Sequence, residues 1–375
     1  GTGVAVGYTA NGSVYGAGIG YQANGNSYGA AVGVGANGTT NGAAVGRNAN
    51  AGAAGAAVGY QANAYVKGVA MGYQANGGES GVAIGYQAMG TTYGVAVGRD
   101  ADGQSSGAAL GRGANGSDSG AAVGNYADGH SFGAAVGYQA NGITNGVAVR
   151  NGANGALYGA AVGYQAVGSE GGAALGSLAN ANINGAAMGY MANAFYAGAA
   201  VGYLANANSS GAAVGYGTDG NDFGAALGAG ANASATGTAV GVVADGHKNG
   251  VAVGYMADGY DHGAAVGKEA NGVTSGAAVG YQANGNDHGA AVGPEAQGTY
   301  YSASLGFRAT STVSGVAVGN QSVGSDNGTA AGAFANGSVK GAAVGAEANG
   351  ITSGAALGYR ANGYGECVAI GALAN

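Results

Sequence analysis

The side chains able to do chemistry are few in this 375-residue chain: four histidines, one cysteine and seventeen acidic residues among 87 glycines. His262 and His288 share a column of the repeat described below. They stand two turns apart, about 9.5 Å at the spacing of stacked strands, too far to share a zinc ion bound at about 2 Å. Asp245, Asp258 and Asp261 lie close in sequence, yet calcium requires six or more oxygen ligands, and aspartates replacing asparagine in solvated turns account for them better. Cys367, the single cysteine, has no intrachain partner and stands where the repeat has glycine. Gly33–Gly38 and Gly111–Gly116 match G-x-G-x-x-G, but in so glycine-rich a chain the match is uninformative and neither opens a helix. No serine has a histidine and an acid in a recognisable arrangement. The residues therefore predict no enzyme: no catalytic group, no cofactor and no metal.

What must position these residues is a repeat. From Gly3 every thirteenth residue restarts the phrase G-[AV]-A-V-G-Y-Q-A-N-G plus three free residues, without insertion or deletion through Asn375. Position one is glycine except at Ser302 and Cys367, position five is glycine except at Arg150, and position eight is alanine except at Thr218 and Ser322. Such regularity means one unit stacked many times, a single continuous array over 1–375. The array starts two residues before a repeat and stops inside one, as expected of a segment of a longer protein.

Composition excludes several classes. One proline and no three-residue period exclude collagen. With 47% hydrophobic and 7% charged residues the chain is not a disordered polyelectrolyte. Its apolar runs fall far short of the roughly 20 residues of a membrane helix, so no membrane span is expected. A net charge of −7 argues against a nucleic-acid partner. Few lysines among many Asn, Ser, Thr and Tyr fit an extracellular or cell-surface location.

Thirteen residues are too few for a helix pair, and internal glycine costs about 1 kcal/mol in a helix. Short strands and turns remain, so the expected fold is all-β: a parallel β-solenoid with one repeat per turn and about 29 turns, a rod of about 140 Å at the strand spacing. Side chains alternate along a strand. Position four, apolar in every repeat but one, is expected to be the core column: Val6, Ile19, Val32, Val45, Val58, Met71 and Ile84. A second strand through the position-eight alanines faces it. Turns are expected at the position-five glycine and at the Asn-Gly or Asp-Gly pairs of positions nine and ten, such as Asn11-Gly12 and Asp102-Gly103. All formal charges, ten basic and seventeen acidic, fall at positions five, six, seven, nine, twelve and thirteen. Arg150 is the single charge at five, and Val149-Arg150-Asn151-Gly152 resembles Val45-Gly46-Arg47-Asn48 with its glycine displaced, which predicts a local change of turn.

Position three then faces outward, and its residues, among them Ala5, Ala31, Ala44, Ala57, Ala70 and Ala83, form a flat apolar strip too long for a soluble monomer. That strip is the expected assembly face, and open end rungs offer further strand edges. Tyrosines at position six form consecutive runs, Tyr60, Tyr73, Tyr86 and Tyr190, Tyr203, Tyr216, whose rings can stack to stiffen the rod or offer sugars a contact.

The phrases Gly81-Val82-Ala83-Ile84-Gly85-Tyr86-Gln87-Ala88 and Gly263-Ala264-Ala265-Val266-Gly267 resemble the [ST]-V-A-[IV]-G-x-x-A repeat of YadA-like heads, found in trimeric autotransporter adhesins and some phage fibres. The resemblance covers essentially the whole chain. It implies a left-handed β-roll, commonly trimeric, on a bacterial or viral exterior. The family repeat is usually fourteen residues with A-x-A-x-G, against thirteen with A-N-G here, and no neck, stalk or anchor lies within these residues. The expectation is a non-catalytic extracellular structural protein whose partner is itself, assembling into fibres. The alternatives are an adhesin head that takes a cell-surface ligand or glycan, and an ice-binding protein.

Overall fold

The computed structural model describes residues 2–375 and is an all-β parallel β-solenoid of about 28 turns with 13 residues per turn. Two compact units divide it, one up to Gly185 and one from Ala186 on. The first holds fourteen three-residue strands from Val4–Val6 to Ala173–Leu175, the second fifteen from Ala186–Met188 to Val368–Ile370. Between successive strands of this layer runs one strand of a second layer, such as Asn11–Gly12 or Asn141–Ile143. Within each unit the strand pairings are parallel and advance by one repeat, as in Ala43↔Ala56, Ala44↔Ala57 and Val45↔Val58.

Two turns close each rung. In the first, Ala10 N–H donates to the Gly7 carbonyl at 3.3 Å, with Gly7 at φ 131° and Thr9 at φ 52°. A positive φ at only the second central residue makes it a type II turn. In the second, Gly16 N–H donates to the Ser13 carbonyl at 2.8 Å around Val14 and Tyr15, both left-handed (φ 46° and 62°), a type I′ turn. The Asn-Gly pairs expected to turn are instead strand residues, Asn11↔Asn24 and Gly12↔Gly25. Their glycine answers to space, not to φ: a Cβ on Gly12 would overlap the carbonyl of Val4 across the interior, and where alanine stands in this column, as at Ala51 and Ala64, it is fully buried.

That closeness decides which side chains go inside. The expected core column, Val6, Ile19, Val32, Val45, Val58, Met71 and Ile84, lies outside, with exposures from 36% (Ile84) to 56% (Val6). The expected assembly column is the interior: Ala31, Ala44, Ala57, Ala70 and Ala83 are 0% exposed. Ala5, in the first rung and itself exposed, is paired with Gly18 of the same column. The position-eight alanines, such as Ala23 and Ala36, and position ten, where alanine occurs at Ala51 and Ala64, line the other side of the interior. Between layers this close the interior is filled almost wholly by alanine and glycine, with a few serines and Thr218 as the exceptions. The larger valines stay outside despite their greater apolarity.

The second unit carries five buried hydroxyl residues in its interior, three of them together. Ser302, Ser304 and Ser311 are buried together, Ser302 Oγ donating to the Ser311 carbonyl at 2.8 Å and Ser304 Oγ meeting Ser311 Oγ at 2.6 Å. Ser322 donates to the Gly319 carbonyl and Thr218 to the Gly228 carbonyl. Each buried hydroxyl has a partner, as burial demands. The alanine clusters Ala226–Ala296 and Ala330–Ala369 lie on either side of the serine rung.

Arg150 does not change its turn. Its N–H donates to the Val136 carbonyl at 2.7 Å and its carbonyl accepts from Ala153, the bonds that Gly137 makes one rung earlier. The backbone is instead strained, at φ 100° where glycines of this column lie near 140°. Replacing Arg150 with glycine is expected to stabilise the chain by about 1 kcal/mol, the low end of such strain, measured by chemical denaturation. The inside-out order of the columns is tested in one rung: Ala57→Leu should cost about 1–3 kcal/mol or more through overpacking, whereas Val58→Ser should cost under about 1 kcal/mol as a surface change.

Candidate functional site: the outer strand face and its borders

With position three inside, positions two and four of every strand point outward. Position four supplies a ridge of Val, Ile, Leu or Met, broken only by Ala331, and position two a lower shelf of Ala, with Val or Thr in some rungs. No charged residue occurs at positions two, three or four anywhere in the chain. Each unit therefore carries an uncharged apolar face bordered by two turns.

The turn after the ridge is built of ladders. Tyr60, Tyr73 and Tyr86 stack at 5.1 and 4.9 Å between ring centroids, with nearly parallel planes, and Tyr190, Tyr203 and Tyr216 at 5.2 and 5.1 Å. Arg47 lies over the Tyr60 ring at 5.7 Å and Arg99 over Tyr86 at 5.6 Å, so cations close both ends of the first stack. The ring faces are thereby spent on one another, which leaves edges and hydroxyls outward and favours stiffening over sugar stacking. Beside them Gln74 donates to Gln61 at 2.9 Å and Gln87 to Gln74 at 3.1 Å. In the second unit the same column pairs Glu295 with Arg308 at 2.7 Å and Glu347 with Arg360 at 2.5 Å. Gln282 donates to Glu269 at 2.6 Å and, with Lys268, holds that carboxyl below its ordinary range. Asparagines of position nine form a further ladder, Asn11 donating to Asn24 and Asn24 to Asn37 at 3.0 and 3.1 Å.

The turn before the shelf carries isolated aromatics that the sequence reading did not single out. Phe132 and Tyr158, at position thirteen, are 70% and 72% exposed with φ 63° and 65°. Their neighbours in the column are Ser119, Asn145 and Gly171, so no ring stacks on them in sequence.

Stacking also brings together groups that sequence reasoning kept apart. The Ser234 hydroxyl hydrogen-bonds His247 Nδ1, while His247 Nε2 lies 2.5 Å from Asp245 Oδ1 and 3.0 Å from the Asn232 amide. The signal was present as a spacing: Asp245 and His247 follow Ser234 by eleven and thirteen residues, hence lie on the next rung at positions nine and eleven. A serine, an imidazole and a carboxylate in contact still need N–H donors for an oxyanion. The N–H groups of Thr236, Gly237 and Asp245 are committed to the carbonyls of Asp222, Ser234 and Ala257. His262 meets Asn249 and Asp261, at 3.2 and 3.5 Å, and His288 stacks on Tyr301 at 4.7 Å. Among the described residues no three His, Cys, Asp or Glu side chains converge as a metal site would require.

No protein-family model matches the chain, and no curated protein matches it either. The architecture itself is a parallel β-solenoid of 13-residue repeats.

Asp258, one rung after Asp245, is the carboxyl most perturbed in this region. Partial burial raises its pKa, Asp245 raises it further, and His247 opposes both. A raised carboxyl pKa means the folded chain binds the proton more tightly than the unfolded chain, so this contribution is present in acid and lost as pH rises above the ordinary carboxylate range. Asp258→Asn should raise the melting temperature slightly at pH 7 and leave it unchanged near pH 3, in thermal unfolding at the two pH values.

Proposed function

We propose that this is a non-catalytic extracellular structural protein whose solenoids associate laterally through the outer face of positions two and four and extend into fibres through the strand edges of their end rungs. The observation that carries this is the exposure of a long, charge-free row of Val, Ile, Leu and Met on each unit. Soluble monomers rarely leave contiguous apolar patches beyond a few hundred Å² uncovered. The regular repeat supports it, because a contact made by one rung is available to every rung. The resemblance to YadA-like heads supports an exterior location.

A second reading, an adhesin head, is favoured by Phe132 and Tyr158. Holding a bulky ring in left-handed backbone and in water is costly on both counts, and such a ring can stack on a sugar of a surface glycan.

Negative-stain electron microscopy over a concentration series separates the two. Fibres many copies long are expected. In the Val123→Lys/Val136→Lys variant, with circular dichroism unchanged, the concentration needed for assembly should rise at least tenfold, since each buried charge costs well over the roughly 1.4 kcal/mol of one decade. Particles of one fixed size at every concentration would overturn the fibre reading and favour the adhesin.

A further inference from the structure

The outer face is not symmetric across its width, and the asymmetry specifies how a second copy can cover it. Position four is the ridge and position two the shelf. Leucine stands at four only where two is alanine: Leu110 with Ala108, Leu175 with Ala173, Leu227 with Ala225, Leu305 with Ala303 and Leu357 with Ala355. Two copies can face each other in two ways. Rotation about the stacking axis leaves the stacks parallel and reverses left and right, so the ridge of each copy meets the shelf of the other in the same rung. Rotation about the strand direction makes the stacks antiparallel and sets ridge on ridge and shelf on shelf. Large against small fills a sheet interface, whereas large against large holds the sheets apart and leaves voids over the alanines. A sideways shift that corrected the antiparallel arrangement would leave half the face uncovered.

We infer that this face is a homotypic interface in which two copies pack parallel and in register about a two-fold axis along the stack. The inference rests on the self-associating reading above and names its partner and polarity. Area permits it: a three-residue strand about 10 Å long on a spacing of about 4.8 Å gives about 50 Å² per rung, hence about 700 Å² per copy over the fourteen strands of the first unit. The bordering turns add to this, and a stable interface needs about 800 Å² per partner. Parallel pairing places the turn after the ridge of one copy, positions six and seven, beside the turn before the shelf of the other, positions twelve and thirteen of the preceding repeat. Three strands carry formal charges on both borders: Lys340 meets Glu347 of the second copy, Asp261 meets the Lys268–Glu269 ion pair, and Asp287 meets Glu295, whose charge Arg308 already pairs. Eight rungs carry valine at position two, as at Val69, Val82 and Val95, and there the step is shallower.

The test uses the full chain with Cys367→Ser, spin-labelled at Thr40→Cys or, separately, at Thr144→Cys, both in the turn bordering the shelf. Assembly is followed by light scattering and label separation by pulsed electron resonance. The expected result is a label pair within about 30 Å at both sites, set by two facing sheets about 10 Å apart. In addition Lys340→Glu, which sets like charges against Glu347 of the second copy, should weaken assembly several-fold. A short distance at one site only means antiparallel pairing, and three coupled spins mean a trimer; either overturns the two-fold parallel interface. Assembly without any short distance also overturns it while leaving the fibre reading intact. No assembly by an unlabelled chain with a native circular dichroism spectrum removes the fibre reading itself.

Discussion

The approach of the two strand layers governs everything else in this structure. A Cβ on a glycine of position ten would overlap the opposite carbonyl, as between Gly25 and Ala17, and one on a glycine of position five would lie about where the next rung's carbonyl stands, 2.5 Å from it for Gly7 and Gly20. Three glycine-rich columns follow, and the filling is alanine at positions three and eight and, in some rungs, at position ten, as at Ala51 and Ala64. An interior so thin buries backbone more than side chain. Cohesion therefore comes from close packing and from hydrogen bonds that continue through the turns, as in Gln22 N–H to the Tyr8 carbonyl and Tyr28 N–H to the Val14 carbonyl, both at 2.9 Å. The tolerance for serine at 302, 304 and 311 has the same origin. A hydroxymethyl group is barely larger than a methyl, and its hydroxyl finds carbonyls and other hydroxyls within reach.

The period, the parallel rungs, the absence of helix and the exclusion of charge from positions two, three, four and eight were legible in the sequence because each depends on pattern alone. The stacked tyrosines were legible for the same reason. The sign of the alternation was not. Alternation shows that Val45 and Ala44 point opposite ways without saying which points in, and ranking by hydrophobicity selects valine. The decisive signal was tolerance to volume. Position three varies only among Ala, Gly18 and Ser304, whereas position four accepts Val, Ile, Leu, Met and Ala331. A column that accepts five sizes has solvent on one side. The Asn-Gly pairs misled for a related reason: the two-residue turn rule belongs to antiparallel hairpins, while here asparagines of successive rungs bond to one another and the glycine answers to space. The Ser234, Asp245 and His247 contact escaped because residues eleven and thirteen apart are neighbours only once the rung is known.

The same stacking that makes ladders also limits chemistry. In a solenoid most backbone N–H groups serve the neighbouring rung, so donors that could stabilise a developing anion are scarce along its flanks. Side chains gather in columns according to type: Tyr60 to Tyr86 closed by Arg47 and Arg99, Gln61 to Gln87 beside them, Glu295 with Arg308 further on. Exposed pairs of this kind contribute little individually. Their number, and the alignment imposed by the ladder, make them a rigid border to the apolar face.

A face repeated in every rung raises the problem of slippage, because identical rungs would pair as well in one register as in another. The distribution of large residues answers it. In register, each leucine at position four faces an alanine. A slip of one rung sets Leu110 against Val95, Leu227 against Thr238, Leu305 against Val316 and Leu357 against Val368, with only Leu175 still facing alanine on either side. Within each unit, then, the departures from a perfect repeat act against the wrong register. A strict Gly-Ala-Ala-Val array would present the same ridge and shelf without this discrimination. The irregularities at positions two and four are thus as informative about association as the period is about the fold.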